Sequence, residues 1–324
     1  MSDSVKGILA VILASTIWGL SPVYYKLLAH IPPLEVLSHR TLWSLVFFGL
    51  ILIAQGRLGQ IRIALGSRRQ VANVVLAAMM VTTNWFLFIY AVQVGRAVEA
   101  SLGYYILPLI SVVMGVIFFG EGWSRNKIFA LSLAGLAVLI LTLGLGAAPY
   151  MSLTLAITFG IYSVIKKRTV AGPVVSVTAE VLLLAPLALF WLWGVHTQGF
   201  TGVTGRNMGV FGNSLPDSLM LMLSGPLTAG PLILFSYASR RISLSSAGLV
   251  GYLNPTLQFL VATLIFAEPI TIWHALAFPL IWAALAIYSL NAVRSERASR
   301  RSAIKASTSA ATLMKGLSEA SAKP

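Results

Sequence analysis

The chain has 324 residues, 57% of them hydrophobic and only 10% charged, with a net charge of +14 and no cysteine. A soluble protein of this size carries far more charge, so the composition excludes a soluble globular domain, and the missing cysteines exclude disulfides and thiolate metal sites. The basic excess is read as positively charged cytoplasmic loops rather than a nucleic-acid surface, because no basic stripe interleaves with exposed aromatics.

Ten apolar runs follow in order: 7–28, 34–55, 71–93, 98–119, 128–146, 149–165, 174–196, 218–239, 246–267 and 271–292. Each lies near the roughly 20 residues that cross a bilayer as a helix. A β-barrel is excluded, since its strands are short and alternate apolar with polar. The first run is too long for the apolar core of a signal peptide, and nine more follow, so it is read as a span.

Charge then orients the runs. With a cytoplasmic N-terminus, 19 of the 23 Lys and Arg fall inside: Lys6, four within 56–70, Arg125 and Lys127, Lys166 to Arg168, Arg240 and Arg241, and seven beyond Asn291. Only Arg96 and Arg206 fall outside, while Lys26 and Arg40 lie within spans. This predicts that both termini are cytoplasmic. Residues 197–217, rich in Gly, Thr and Asn, form an outside loop. Residues 293–324 read as a basic cytoplasmic tail, either disordered or lying on the anionic inner leaflet.

The pattern repeats internally. Tyr105-x-x-Pro108 is followed by an apolar run closed by Glu121, and Tyr252-x-x-Pro255 by one closed by Glu268. Trp18-Gly19 with Lys26 resembles Phe159-Gly160 with Lys167, 141 residues on, and the same offset carries His39 onto Glu180. The halves are then 1–147 and 148–292. Five spans per half is odd, so the halves lie inverted in the membrane. Inverted repeats are typical of secondary transporters, with the substrate site near the midplane between them. The predicted fold is all-α: ten transmembrane helices in two inverted five-helix repeats.

The residues Trp18-Gly19, Pro32-Pro33-Leu34-Glu35, His39-Arg40-x-x-Trp43-Ser44, Asn84-Trp85, Ser101-Leu102-Gly103-Tyr104-Tyr105 and Pro108 resemble the RarD group. That group belongs to the EamA branch of the drug/metabolite transporter superfamily. Thr228-x-x-Pro231-Leu232-x-x-Phe235 and Phe278-x-x-Ile281-Trp282 extend the resemblance, which covers about residues 5–292. It implies two EamA-type repeats in a bacterial inner membrane and carriage of small metabolites or drugs, usually outward.

Several in-span residues are candidates for substrate binding or gating. Pro108 and Pro255 sit about 14–15 Å deep and free the carbonyls of Tyr104 and Gly251. They either line a cavity beside Tyr105 and Tyr252 or simply pack a kink. His39 and Arg40 lie about five residues inside the second span, where a charge costs roughly 3 kcal/mol. Arg40 either faces a site or snorkels to the outer interface. Glu180 enters from the inner side, about 14 Å from Arg40 in depth, which argues against a direct pair. Glu35, Glu99 or Glu268 are nearer Arg40, and Lys166 or Lys167 nearer Glu180. Asn84, Thr82, Thr83, Gln93, Thr228, Ser236 and Gln258 either bind a polar substrate or bond between helices. Trp85 is a mid-span aromatic wall. Glu121 and Glu268 read as interfacial terminations. Glu180 is the acidic residue deepest in a span, hence the first proton-coupling candidate, and His39, with an imidazole that titrates near neutrality, is the second.

An enzyme is the weaker reading. The histidines at 30, 39, 196 and 274 fall on four segments, and no His-Glu-x-x-His or P-loop occurs. No metal or cofactor is expected. A channel needs a ring of like residues or an oligomeric pore, and inverted halves fit alternating access better. The expected partners are a small-molecule substrate, the lipid bilayer and protons.

Overall fold

A computed structural model of the chain describes residues 3–290, apart from 121, 147, 170, 240, 243–246 and 248–249. Glu121 and the basic tail therefore lie outside the described residues. The helices are α1 (Asp3–Leu27), α2 (Pro33–Ala54), the short α3 (Gly59–Ala64), α4 (Arg68–Gln93), α5 (Ala97–Phe119), α6 (Arg125–Leu145), α7 (Tyr150–Lys167), α8 (Pro173–Thr197), α9 (Leu215–Ser239), α10 (Leu253–Leu260) and α11 (Ile272–Leu290). Among the described residues helix occupies every predicted apolar run, and α3 lies in the basic 56–70 link.

Local chemistry sets the ends. Ser67 Oγ accepts from the Gln70 N–H and Ser124 Oγ from the Lys127 N–H, capping α4 and α6. Pro33 and Pro173 open α2 and α8, where a missing N–H costs nothing. Gly120 closes α5 in the left-handed conformation, at φ 64°.

Eight helices among the described residues are long and apolar enough to cross a membrane: α1, α2, α4, α5, α6, α8, α9 and α11. The described part of the run predicted at 246–267 is shorter. It turns at Tyr252, runs as α10 and widens into a π-turn over Val261–Ile265. Pro255 thus sits in the first turn of α10, where its missing N–H breaks no bond. Pro108, by contrast, lies inside the unbroken α5. The helix α7 ends on Lys166 and Lys167 and is 18 residues long.

Packing is paired. The helix α5 packs on α7, and α10 on α1; α4 packs on α7, and α9 on α1; α2 packs on α9, and α8 on α4. The α2–α8 and α5–α10 contacts join the two sets. Two close approaches set this spacing. A Cβ on Gly19 would come within 2.6 Å of Leu257 Cβ, and one on Gly160 within 2.9 Å of Ile110 Cγ2.

The loops gather at two ends. At one, Arg206 donates to the Ala29 and His30 carbonyls, and the Val210 N–H donates to Glu35. At that end Arg96 makes a two-pronged bond with Glu99, at 2.6 and 2.8 Å, which raises the Arg96 pKa above the ordinary guanidinium value. At the other, Arg168 donates to the Phe118 carbonyl, and Lys167 lies over the Phe119 ring at 4.1 Å.

Candidate functional site

A cavity of about 220 Å³ lies at the centre of the bundle, walled by α1, α2, α4, α5, α7, α8, α9 and α10. Rings make most of the wall: Trp18 and Tyr25 from α1, Trp85 and Phe88 from α4, Tyr104 from α5, and Phe159 and Tyr162 from α7. The polar contributions are Ser21, Thr228, Asn254 and Gln258, and the one charged side chain is Arg40. The wall is built from matched positions of the two halves. Trp18 and Phe159, and Ser21 and Tyr162, stand 141 residues apart; Val81 and Thr228, Trp85 and Leu232, and Leu107 and Asn254 stand 147 apart.

Arg40 is buried at 7% exposure. Its Nε donates to Thr228 Oγ1 at 3.0 Å, and its guanidinium carbon lies 4.1 Å from the Trp85 ring centroid and 5.7 Å from that of Tyr25. It forms no ion pair with a carboxylate among the described residues. The guanidinium thus sits over the indole in a cation–π contact.

Glu180, at 1% exposure, lies behind this wall. Its Oε1 meets Lys166 Nζ at 2.6 Å and accepts from Ser176 Oγ at 3.1 Å, and its Oε2 accepts from the Tyr162 hydroxyl at 3.1 Å. Lys166 also donates to Ser176. Glu180 is therefore paired with Lys166 and not with Arg40.

The remaining sequence-selected residues take supporting places. Asn84 donates to the Leu155 carbonyl at 2.9 Å and accepts from the Tyr104 hydroxyl at 2.9 Å, so it positions a wall ring. Tyr105 faces the other way: its hydroxyl bonds Thr256 of α10 at 2.8 Å, and its ring meets Phe278 and Trp282. Adjacent helical residues point about 100° apart, which is why Tyr104 takes the wall and Tyr105 the helix contact. Tyr252 packs against the main apolar core. Pro108 and Pro255 each adjoin a wall residue, Leu107 and Asn254.

His39 opens elsewhere. It stacks on Phe211, with centroids 4.6 Å apart, and lines an open cleft of about 480 Å³ with Trp43, Trp193 and His196. The side chains around that cleft are outward-facing and apolar, with Trp193 at 52% and Leu189 at 57% exposure. It is an open and largely apolar cleft, separate from the central cavity.

Several wall residues are not among the candidates read from the sequence, including the rings of Tyr25, Phe88, Tyr104, Phe159 and Tyr162. The available signal was the repeat: Phe159 is the counterpart of Trp18, and Tyr162 lies one turn further along the same face. Glu268 also does more than terminate a span. Its two carboxylate oxygens accept from the Ala97 and Val98 N–H groups at 2.8 Å each, capping α5 from across the bundle.

Comparison with known proteins gives concordant matches. The model of the EamA-like transporter family matches residues 5–143. The uncharacterized transporter YojE of Bacillus subtilis is 35% identical over 92% of this chain and 98% of its own. Protein RarD of Streptomyces exfoliatus is 38% identical over 87% of this chain and 88% of its own. A protein crystal structure superposes with a TM-score of 0.59 at 17% identity, over 90% of this chain and 98% of that one, a likeness of fold alone.

Proposed function

The chain belongs to the EamA/RarD family of the drug/metabolite transporter superfamily and is a multi-pass secondary transporter of the bacterial inner membrane, and we propose that it carries a small metabolite outward by alternating access at the central cavity. One observation carries this reading: a central cavity whose wall is assembled from matched positions of both halves of the chain. A site shared in that way changes its exposure when one half rocks against the other.

In this reading the helices form two inverted repeats of five, 1–147 and 148–292, with both termini in the cytoplasm. The exchange of contacts supports it. Where α5 meets α7, the counterpart α10 meets α1, and Gly160 against Ile110 is answered by Gly19 against Leu257. The helices α7 and α10, the two outside the long apolar set, are taken as the sixth and ninth spans, flanking the cavity. The coupling proton is exchanged at Glu180, whose hydrogen bond from Tyr162 reaches the cavity wall.

Counterflow in proteoliposomes tests the carrier. Saturable uptake of labelled solute driven by unlabelled solute inside is expected. Flux that never saturates and shows no counterflow would indicate a channel, and a chemically altered solute an enzyme.

A further inference from the structure

We propose that the cavity selects small monoanions, holding a carboxylate on the Arg40 guanidinium and a flat apolar body against the aromatic wall; this rests on the carrier reading above.

The first ground is an unanswered charge. A guanidinium keeps its proton in proteins and has five N–H donors in a planar fork. Among the described residues the only hydrogen-bond partner of Arg40 is Thr228, taken by Nε. Its terminal nitrogens are not among the sealed, partnerless atoms, unlike Nε2 of His39, so they are open to the cavity. None of the described carboxylates pairs with Arg40, although Oε2 of Glu35 is buried without a partner. Glu35 takes the Val210 N–H, Glu99 binds Arg96, Glu180 binds Lys166 and Glu268 caps α5. A buried unpaired cation is costly, and an anionic cargo supplies what the protein withholds.

The second ground is asymmetry. The counterpart of Arg40 at the 141-residue offset is Val181, which is buried and apolar. The repeat fold thus does not require a cation at that position. The charge occurs once, and it occurs on the cavity wall.

The third ground sets the cargo's size and sign. Among the described residues the cavity wall has no Asp or Glu, so a cationic solute meets repulsion from Arg40 with no carboxylate there to offset it. A dianion keeps one charge uncompensated, whereas a monocarboxylate matches the guanidinium fork bidentately. At about 220 Å³ the chamber is smaller than the roughly 300–1,000 Å³ of drug-sized pockets. Trp18, Phe159 and Trp85 offer faces for a ring or a short chain.

The test uses matched probes on the full chain. Benzoate, phenylacetate and hexanoate are set against benzamide, phenylacetamide, benzylamine and inorganic phosphate, in thermal-shift and counterflow assays. Carboxylates are expected to stabilise the protein and exchange across the vesicle, with amides and benzylamine at least tenfold weaker. Arg40→Gln should erase the preference for carboxylate over amide, and Arg40→Lys should keep part of it. If Arg40→Gln does not fold, the carboxylate-to-amide ratio on the wild-type protein still decides. Equal exchange of amides or amines overturns the inference and leaves the carrier intact. No shift or exchange with any carboxylate also overturns it. Non-saturating flux of every probe sinks the carrier reading instead.

Discussion

The Tyr162 hydroxyl, on the wall of the central cavity, donates to Glu180 Oε2 at 3.1 Å, while Lys166 Nζ holds the other carboxylate oxygen at 2.6 Å. One carboxylate therefore joins a residue that lines the cavity to a lysine at the last turn of α7. A cargo that moves Tyr162 changes the hydrogen bonds that Glu180 receives. Glu180→Gln alone strands Lys166, so the informative variant pairs it with Lys166→Met, which leaves no net charge behind. The double variant should exchange substrate at equal pH near the wild-type rate and lose flux driven by a pH gradient. Gradient-driven flux that survives in it removes Glu180 from coupling, and His39 becomes the next group to change.

The same cluster makes a stability prediction. Removing one partner of a buried ion pair costs about 3–5 kcal/mol, whereas replacing both with apolar groups is often neutral. Glu180→Gln should lower the unfolding temperature in detergent markedly, and adding Lys166→Met should restore most of it. If the single and double variants melt together, Lys166 finds water or lipid headgroups when Glu180 is gone.

Gly19 and Gly160 should fail alike when a methyl is added. At each, the new Cβ meets a side chain of the facing helix, Leu257 at 2.6 Å or Ile110 at 2.9 Å. Overpacking of this kind costs about 1–3 kcal/mol. Gly135 on α6 has nothing within 4 Å of a built Cβ and serves as the control. Gly19→Ala and Gly160→Ala should melt at lower temperature, while Gly135→Ala should not. An unchanged melt in the first two means that the helices slide apart at no cost.

Glu268 binds the start of α5 to the chain that follows α10. Losing the carboxylate leaves the Ala97 and Val98 N–H groups without acceptors, at about 0.5–2 kcal/mol by the scale of helix caps. Glu268→Ala should speed amide hydrogen exchange over the first turn of α5 and leave the far end unaffected. Unchanged exchange there means that water replaces the cap.

How far the sequence could be read follows from what each signal depends on. Apolar run length depends on the bilayer alone, so the helices fell where the runs were. The break at Tyr252 and the π-turn after Leu260 depend on tertiary contacts that no run length encodes. Arg40 and Trp85, which line the cavity, were legible as candidates, because a charge and a mid-span aromatic ring stand out in one dimension. Tyr104 and Tyr105 look alike in sequence, and the choice between them is a matter of helix phase. Tyr162 was hidden because its role comes from a partner 18 positions away on another helix. His39, legible as a titratable group in a span, lines a separate open cleft, because it is one residue and about 100° round α2 from Arg40.

Topology gives the last prediction. The loops form two groups in space, one holding Arg96, Arg206 and the residues around Glu35, the other holding Arg57, Arg168 and Arg241. Alternate links of the chain fall in alternate groups, as a helix bundle threaded back and forth demands. The basic residues gather in the second group, and Lys and Arg accumulate on the cytoplasmic side. The chain has no cysteine of its own, so single introduced thiols report cleanly. Arg62→Cys and Arg168→Cys should stay unlabelled by an impermeant maleimide in intact cells and react once the cells are opened. Arg206→Cys, in the exposed outside loop, should react in intact cells. Labelling of position 168 from outside reverses the orientation.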